Sequence, residues 1–329
     1  MNRIIKLISV LLLAVFLTTG CTERFIDKDT EKSYTSNILC KPTTEEMKEV
    51  YDNNKKEVKV DIDKLPECSE FKITSGEYEN LFTSLITKPL AFIIIKIGEI
   101  VKNYGLAIMI VGLLIRLVLM PLTKKSLMQS ENMKKAQPEL QKLEKKYRNK
   151  NDKDSLMMKS QETMMIYKKY EINPMSGCLF AFLQLPILFA FLEAINRIPV
   201  LLEETLWKFQ LGTTPLEGIQ SGSYIYLIIV ALIILTTYFS FKNMNMSGAD
   251  PAQQKQMKFM SIFMLVFISI ASFSLPVAIA LYWIVSSAFS ILQNIYIKDF
   301  KLKKEHSETK DIKKENKEKT EKNIKKEEK

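Results

Sequence analysis

The chain has 329 residues, of which 47% are apolar and 26% charged, with a formal net charge of +10. The apolar residues fall in blocks of about twenty, the length that crosses ~30 Å of hydrocarbon, and the charged residues lie between the blocks. This distribution predicts an all-α polytopic membrane protein and argues against a soluble domain. The Lys and Arg residues are concentrated in loops and a tail, which is typical of orientation by cytoplasmic positive charge rather than of nucleic-acid binding.

The first 20 residues have the pattern of a signal peptide. Arg3 and Lys6 precede the apolar run 7–17, which leads into "LTTGC" at 17–21. The stretch resembles a bacterial lipoprotein signal, and that resemblance implies cleavage before Cys21 and attachment of lipid to it. An uncleaved signal anchor is the alternative.

Residues 21–77 are polar and mixed in charge, and we expect a loosely ordered, lipid-anchored extracellular segment. A disulfide between Cys40 and Cys68 is allowed outside the cell, but two free thiols remain equally open. His306, in the charged tail, is the only histidine. The sequence therefore predicts no metal site, no cofactor and no histidine-based catalysis.

Residues 78–102 are apolar but are interrupted by charged residues. Lys88, Lys96, Glu99 and Lys102 would have to be buried if this stretch crossed a bilayer. An amphipathic helix that lies in the outer membrane interface buries none of them. We therefore expect an interfacial helix rather than a transmembrane span.

Residues 103–298 form the predicted five-helix core. The spans are expected at about residues 104–122, 174–195, 224–241, 259–273 and 276–297. Asn173 and Pro174 suit the start of the second span, because Asn caps free N–H groups and Pro at the first position loses no hydrogen bond.

The loop 123–172 predicts a cytoplasmic helical hairpin. It holds 13 Lys or Arg against 7 Asp or Glu and is rich in helix-forming residues. Helices are expected from Glu139 to Arg148 and from Leu156 to Tyr170. Positive charge places this loop and the Lys-rich tail in the cytoplasm, and residues 299–329 are too polar to fold.

Arg116 is the one charge placed well inside the first span. It lies about five residues before Pro121, or ~7–8 Å along the helix, so its side chain could snorkel to cytoplasmic headgroups. Alternatively it faces the bundle, because Gly105 and Gly112 share its face and small residues mark helix contacts. No acidic residue lies inside the predicted spans to pair with it, since Glu193 is only at the outer edge of the second. A lone cation suits a water-filled groove.

Polar side chains also follow other predicted spans. Each of them alone could simply bond to its own helix backbone. Together they suggest a hydrophilic surface, formed by stripes that comprise Gly177, Ala181 and Gln184 in the second span and Trp283, Ser287, Ser290 and Asn294 in the fifth, with Ser286 and Gln293 beside the latter.

Three stretches, 113–140, 172–195 and 276–294, resemble the YidC/Oxa/Alb family of membrane protein insertases, and with the lipoprotein signal the chain resembles the Gram-positive form. The resemblance implies a groove open to cytoplasm and lipid. The substrate-groove residues would be Arg116, Gln184, Tyr282, Trp283, Ser287, Ser290 and Gln293.

The resemblance implies a bacterial plasma-membrane protein that is not an enzyme and that inserts and helps fold nascent membrane proteins, alone or with the Sec translocon and the ribosome. Methionines of the hairpin would bind substrates, unless they pack the hairpin itself. No small-molecule substrate is expected. A solute transporter is disfavoured because acidic intramembrane residues are missing, whereas a structural lipoprotein would tolerate loss of Arg116.

Overall fold

The computed structural model describes residues 22–29, 32–150, 152–173, 176–243 and 251–297. The predicted signal peptide, the lipidation site Cys21 and the predicted disordered tail at 299–329 lie outside these ranges. Within them the chain is mainly helical, with two short antiparallel hairpins.

The N-terminal segment is folded, so the expectation of loose order was wrong. It contains strands β1 (Arg24–Ile26) and β2 (Ser33–Thr35), helix α1 (Glu45–Asn53), and short 3₁₀ turns at Ile62–Lys64 and Cys68–Glu70. Two features account for its order. Cys40 and Cys68 form a disulfide, which settles the open alternative, and a small core buries Phe25, Ile38, Val50 and Tyr51.

The predicted interfacial helix is helical from residue 81. A π-helical turn (Thr83–Thr87) leads into α2 (Lys88–Val101). One side of α2, including Ile94 and Ile95, is buried in the main core. Other apolar residues of this stretch, such as Leu85 and Ile100, are exposed, so α2 is apolar on more than one face.

Helix α3 (Tyr104–Val118) contains Arg116, and it is shorter than the predicted span. Asn103 caps it by accepting a hydrogen bond from Leu106 N at 2.9 Å. At Leu119 the chain bends by 56°, and α4 (Met120–Tyr147) begins. Pro121 explains the break, because proline fits the first turn of a helix but not its interior.

The predicted boundary of the first hairpin arm was therefore wrong. It was expected from Glu139, but α4 is continuous from Met120 and contains Pro138. The second arm, α5 (Lys153–Lys169), begins at Asp152, whose carboxylate accepts a hydrogen bond from Ser155 N at 2.8 Å.

Four further long helices complete the described part of the chain: α6 (Ser176–Asn196), α9 (Tyr226–Asn243), α10 (Pro251–Ala271) and α11 (Val277–Ile297). With α3 they run alternately between two ends of a bundle. We call the end at which α3 begins and α6 finishes, next to Arg197, the Arg197 end. The opposite end, from which α4 and α5 extend, is the hairpin end. Helix α10 starts eight residues before the predicted fourth span, because its first turns are polar yet still helix-forming.

A compact connection covers the Arg197 end. It comprises α7 (Pro199–Glu203), β3 (Thr205–Leu206), β4 (Phe209–Gln210) and α8 (Pro215–Gln220). Glu204 accepts a hydrogen bond from Tyr104 N at 3.0 Å, and Thr213 O accepts one from Val277 N at 3.1 Å. These bonds join the connection to the first turns of α3 and α11.

Among the described residues, one helix alone, Val277–Ile297, is long and apolar enough to cross a membrane. Tyr104–Val118 and Met120–Tyr147 meet the same test if the bent pair is taken together. Shorter apolar helical stretches occur at Pro186–Asn196, Tyr226–Lys242 and Ser261–Ala271.

Candidate functional site around Arg116

Arg116 points into the bundle. Its side chain is 8% exposed, and its Nε donates a hydrogen bond to Ser286 Oγ on α11 at 2.6 Å. A cation buried to this extent is costly unless its donors are satisfied or reach water. Ser286 therefore fixes the direction of the guanidinium while using only one of its donors.

Tyr282 lies beside this pair, one helical turn before Ser286. Its hydroxyl lies close to the side chains of Ser286 and Gln184. Its ring stacks on Phe191 of α6, with ring centroids 3.9 Å apart. Three helices thus meet at one polar cluster, in which Tyr282 lies next to Arg116 and Gln184 lies next to Tyr282.

Gly112 allows the close approach of α3 to α11 at this point. A Cβ atom added at Gly112 would lie 3.3 Å from Cδ2 of Tyr282. Glycine lies one turn before Arg116 on the same helix face. The Tyr282 ring therefore packs against α3 at Gly112, one turn before Arg116.

Trp283 and Ser287 face a different neighbour. Trp283 Nε1 donates a hydrogen bond to Thr237 Oγ1 of α9 at 2.9 Å, and Ser240 Oγ donates one to the Ser287 carbonyl at 3.2 Å. Adjacent residues of a helix point about 100° apart, so Tyr282 and Trp283 serve different interfaces. The structure does not bring Trp283 or Ser287 into hydrogen-bonding contact with Arg116 among the bonds of the described residues.

The last two predicted residues have other partners. Ser290 Oγ donates a hydrogen bond to the Ser286 carbonyl in its own helix at 3.0 Å. Gln293 Nε2 donates to Thr123 Oγ1 at 2.7 Å and lies 3.4 Å from the Met120 carbonyl. Gln293 therefore fastens the end of α11 to the first turn of α4, just past the bend at Leu119.

The guanidinium of Arg116 has no carboxylate within 4.0 Å in the ranges that the structure describes. A buried guanidinium with free donors can bind a carboxylate or a peptide carbonyl that enters the site, and bidentate geometry strengthens such a contact. The same ranges contain no group of three His, Cys, Asp or Glu placed to hold a metal. The chemistry available here is therefore recognition of acidic or polar chain segments.

Two contributors were missed as site residues from the sequence. Ser286 was placed beside the polar stripe rather than against Arg116, although its position four residues after Tyr282 puts both on one helix face. Thr123 was assigned only to a loop. Its partner Gln293 lies 170 residues away, so spacing along the chain gives no signal of the contact.

Comparison with known proteins identifies the family of the chain. A sequence model of the family described as "60Kd inner membrane protein" matches residues 96–305. Membrane protein insertase YidC of Oceanobacillus iheyensis is 33% identical over 229 residues, which is 69% of this chain and 87% of the relative. Membrane protein insertase MisCA of Bacillus subtilis is 34% identical over 239 residues, which is 72% of this chain and 87% of the relative.

A solved structure described as "Active YidC insertase crystal structure with the first transmembrane domain resolved" aligns with 65% of this chain and 46% of its own, at 21% identity and a TM-score of 0.44. Membrane protein insertase YidC 2 of Bacillus anthracis is 38% identical over 202 residues, which is 61% of this chain and 74% of the relative. The family match spans well over half of the chain, and relatives more than 30% identical are covered over most of their length. The chain therefore belongs to the 60Kd inner membrane protein family, the family of the YidC and MisCA membrane protein insertases.

Proposed function

We propose that the chain inserts and helps fold integral membrane proteins in the bacterial cell membrane, through a hydrophilic groove built around Arg116. The observation that carries this proposal is a buried cation that is held by Ser286 and has no carboxylate partner in the described ranges. A passing acidic segment of a substrate would supply the missing negative charge. Its apolar helix would then partition into lipid.

The energetics need no nucleotide. A polar segment costs several kcal/mol to transfer into hydrocarbon, and a wet groove lowers that cost by keeping the segment partly hydrated. Burial of the substrate's apolar helix returns about 25 cal/mol per Å². We infer that Arg116 acts as a transient counter-ion and that Gln184 and Tyr282 offer further hydrogen bonds.

The proposed topology has five spans, with the hairpin end in the cytoplasm and the Arg197 end outside. The alternating directions of α3, α6, α9, α10 and α11 support it, as does the Lys-rich hairpin. We also propose removal of residues 1–20, lipidation of Cys21 outside, a position in the outer interface for residues 78–102, and a cytoplasmic tail at 299–329.

The hairpin is the proposed first contact for nascent membrane proteins. Its second helix, α5, has no buried residue and carries exposed apolar side chains. These are each more than half exposed and comprise Leu156, Met157, Met158, Met164 and Met165. Flexible methionines suit the binding of varied apolar sequences. We propose that the protein acts alone or beside the Sec translocon, with substrates delivered from the ribosome.

Insertion of a single-span substrate with an acidic N-terminal tail tests the proposal. Cells depleted of their own insertase would carry the native chain, Arg116→Lys or Arg116→Ala, with Arg148→Ala as a control for an exposed arginine of the hairpin. We expect Lys to retain most insertion and Ala to lose it. Equal insertion with Ala would remove Arg116 from the mechanism. No insertion by the native chain would favour a structural lipoprotein instead.

A further inference from the structure

Arg197 is the most deeply buried cation of the described chain, and it joins three separate stretches. Its side chain is 0% exposed. Nε donates a hydrogen bond to the Asn37 carbonyl at 2.6 Å, Nη1 to Glu193 Oε1 at 3.2 Å, and Nη2 to Glu79. A planar guanidinium offers donors in several fixed directions, so this one side chain sets the relative position of all three stretches.

The other partners of this cluster extend the same attachment. Glu193 also accepts hydrogen bonds from Thr83 Oγ1 at 3.2 Å and Thr87 Oγ1 at 3.0 Å. Lys88, itself buried, donates to the carbonyls of Ser75 and Glu77 at 2.8 and 3.0 Å. The segment before α2 is therefore bonded to α2 and α6 through buried groups, so it is held in a fixed position on the bundle.

We name residues 36–79 the cap. Besides Arg197, it is fastened by Glu203, which accepts hydrogen bonds from the backbone N–H of Thr43 and of Thr44 at 3.2 and 3.3 Å. Leu39 N donates to the Arg197 carbonyl at 2.8 Å, and Lys96 Nζ donates to the Ser69 carbonyl at 2.8 Å. The Cys40–Cys68 disulfide closes the cap between these attachment points.

The cap shares one hydrophobic core with the Arg116 site. Leu39 and Phe71 of the cap belong to the same buried cluster as Ile195, Phe191 and Tyr282. Tyr282 and Phe191 stack directly beside the Arg116–Ser286 pair. From Phe191 to Arg197 the chain rises only about 9 Å along the helix axis. Leu39 and Phe71 of the cap belong to the cluster that fills this short stretch, together with Leu201 and Leu211 of the connection.

We propose that the cap is the outer seal of the insertase groove, and that Arg197 is the residue by which it is held closed. The proposal rests on the proposed groove and orientation. Apolar side chains of the cap would exclude water from the outer end of the bundle. The buried ion cluster around Arg197 would hold the cap in one position on the bundle. The lipid-anchored segment then has a function in the insertase itself, keeping the groove open to one side of the membrane only.

The test is the accessibility of one cysteine from each side of the membrane. Cys178, the fourth cysteine of the chain, is replaced by Ser so that it does not react. Ser290→Cys then places a reporter near the Arg116 site, where the native hydroxyl bonds only to its own helix among the bonds of the described residues. A membrane-impermeant maleimide is applied to intact cells for the outer side and to inverted vesicles for the cytoplasmic side. A chain without the reporter gives the background at both faces.

Two independent variants release the cap, namely Arg197→Met and the pair Cys40→Ala with Cys68→Ala. Lys64→Ala is the matched control, because it removes an exposed ion pair with Asp61 in the same segment. Cleavage by trypsin from outside, at Lys55 or Lys56, reports release of the cap in each variant. If Arg197→Met does not accumulate, the cysteine pair decides the outcome alone.

We expect outer labelling of the native chain and of Lys64→Ala to stay at background, and that of the released variants to rise at least tenfold. Outer labelling at background in a variant whose cap is cleaved rapidly would overturn the seal while leaving the groove intact. A reporter that stays unlabelled from the cytoplasmic side of the native chain would overturn the groove and the seal together.

Discussion

The guanidinium of Arg116 on α3 is held by the hydroxyl of Ser286 on α11, with Nε and Oγ 2.6 Å apart. The two residues are separated by 170 positions in the chain. This bond uses Nε and neither of the two terminal nitrogens of the guanidinium. Ser286 is thus a positioning residue for the cation on which the proposed insertion mechanism depends.

Loss of this hydroxyl should weaken insertion without removing the charge. We expect Ser286→Ala to lower insertion of an acidic-tailed substrate about tenfold, since a hydrogen bond to a charged group is worth roughly 1.5–3 kcal/mol. Ser286→Thr, which keeps the hydroxyl, should recover most of it. Insertion of substrates without acidic segments should change less. Ser269→Ala, whose hydroxyl bonds within α10, is the matched control, and an equal loss there would contradict the assignment.

Gln293 and Thr123 should determine how firmly the hairpin is attached to the bundle. Replacing Gln293 by Leu removes the 2.7 Å bond to Thr123 next to the bend at Leu119, at a cost of about 1–3 kcal/mol. Amide hydrogen exchange in the first turn of α4 should accelerate about tenfold. The control is Gln210→Leu, at an exposed position of the β3–β4 hairpin. Unchanged exchange in α4 would show that the contact has no such role.

The Cys40–Cys68 disulfide should contribute substantially to the stability of the N-terminal segment. Its partners are 28 residues apart, and loop-closure entropy for that separation predicts about 3–4 kcal/mol. Replacing both cysteines by Ala should therefore raise the rate of thermolysin cleavage within residues 22–77 of the full chain by more than tenfold. Cleavage within α4 and α5 serves as the internal reference. Equal cleavage of the native and substituted segments would show that packing against the bundle keeps the segment folded without the disulfide.

The hairpin should loosen in acid. Lys169 and Tyr170 hold the pKa of Glu139 below its ordinary value of 4.5, and Lys146 with Tyr147 does the same for the pKa of Glu162. A carboxyl with a lowered pKa stabilises the folded state above its ordinary value, and this contribution is lost as the pH falls through the lowered pKa. The four contacts join α4 to α5.

Hydrogen exchange of the purified chain between pH 3 and pH 7, corrected for intrinsic rates, measures this effect. Protection of α5 should be constant near neutrality and should fall below about pH 4.5. The pair Glu139→Gln with Glu162→Gln should be less protected at pH 7 and nearly independent of pH. A native chain whose α5 stays equally protected at pH 3 would exclude these carboxylates as the hairpin's fastening.

Much of the architecture was accessible from sequence because it depends on local pattern. The apolar blocks gave the approximate positions of the long helices, and Asn103 and Asp152 are capping residues of ordinary type. The errors occurred where apolar length is an incomplete signal. Helix α10 begins in polar residues that propensity allows to be helical, and Pro121 ends one helix while starting another.

The site was predicted only as a set of residue types. Tyr282 does lie between Arg116 and Gln184, whereas Trp283 faces Thr237. One residue step along α11 separates these outcomes, and a sequence pattern cannot tell which face of a helix meets which neighbour when several faces carry hydroxyl or aromatic groups. The ordered N-terminal segment was missed for a similar reason, since it is stabilised by a disulfide and by burial against helices distant in the chain.

By itself the sequence determined the helix-forming blocks, the excess of positive charge on one set of loops, and the placement of a single arginine within an apolar helix, because these follow from side-chain type and from the 3.6-residue period. The tertiary structure alone decided that Ser286 holds Arg116, that Gln293 fastens α4, and that Arg197 joins the cap to α6. Each of these contacts includes a hydrogen bond whose two residues are more than 100 positions apart in the chain. Such contacts are selected by packing and by the cost of leaving a buried polar group unpaired, and both arise only when distant helices meet.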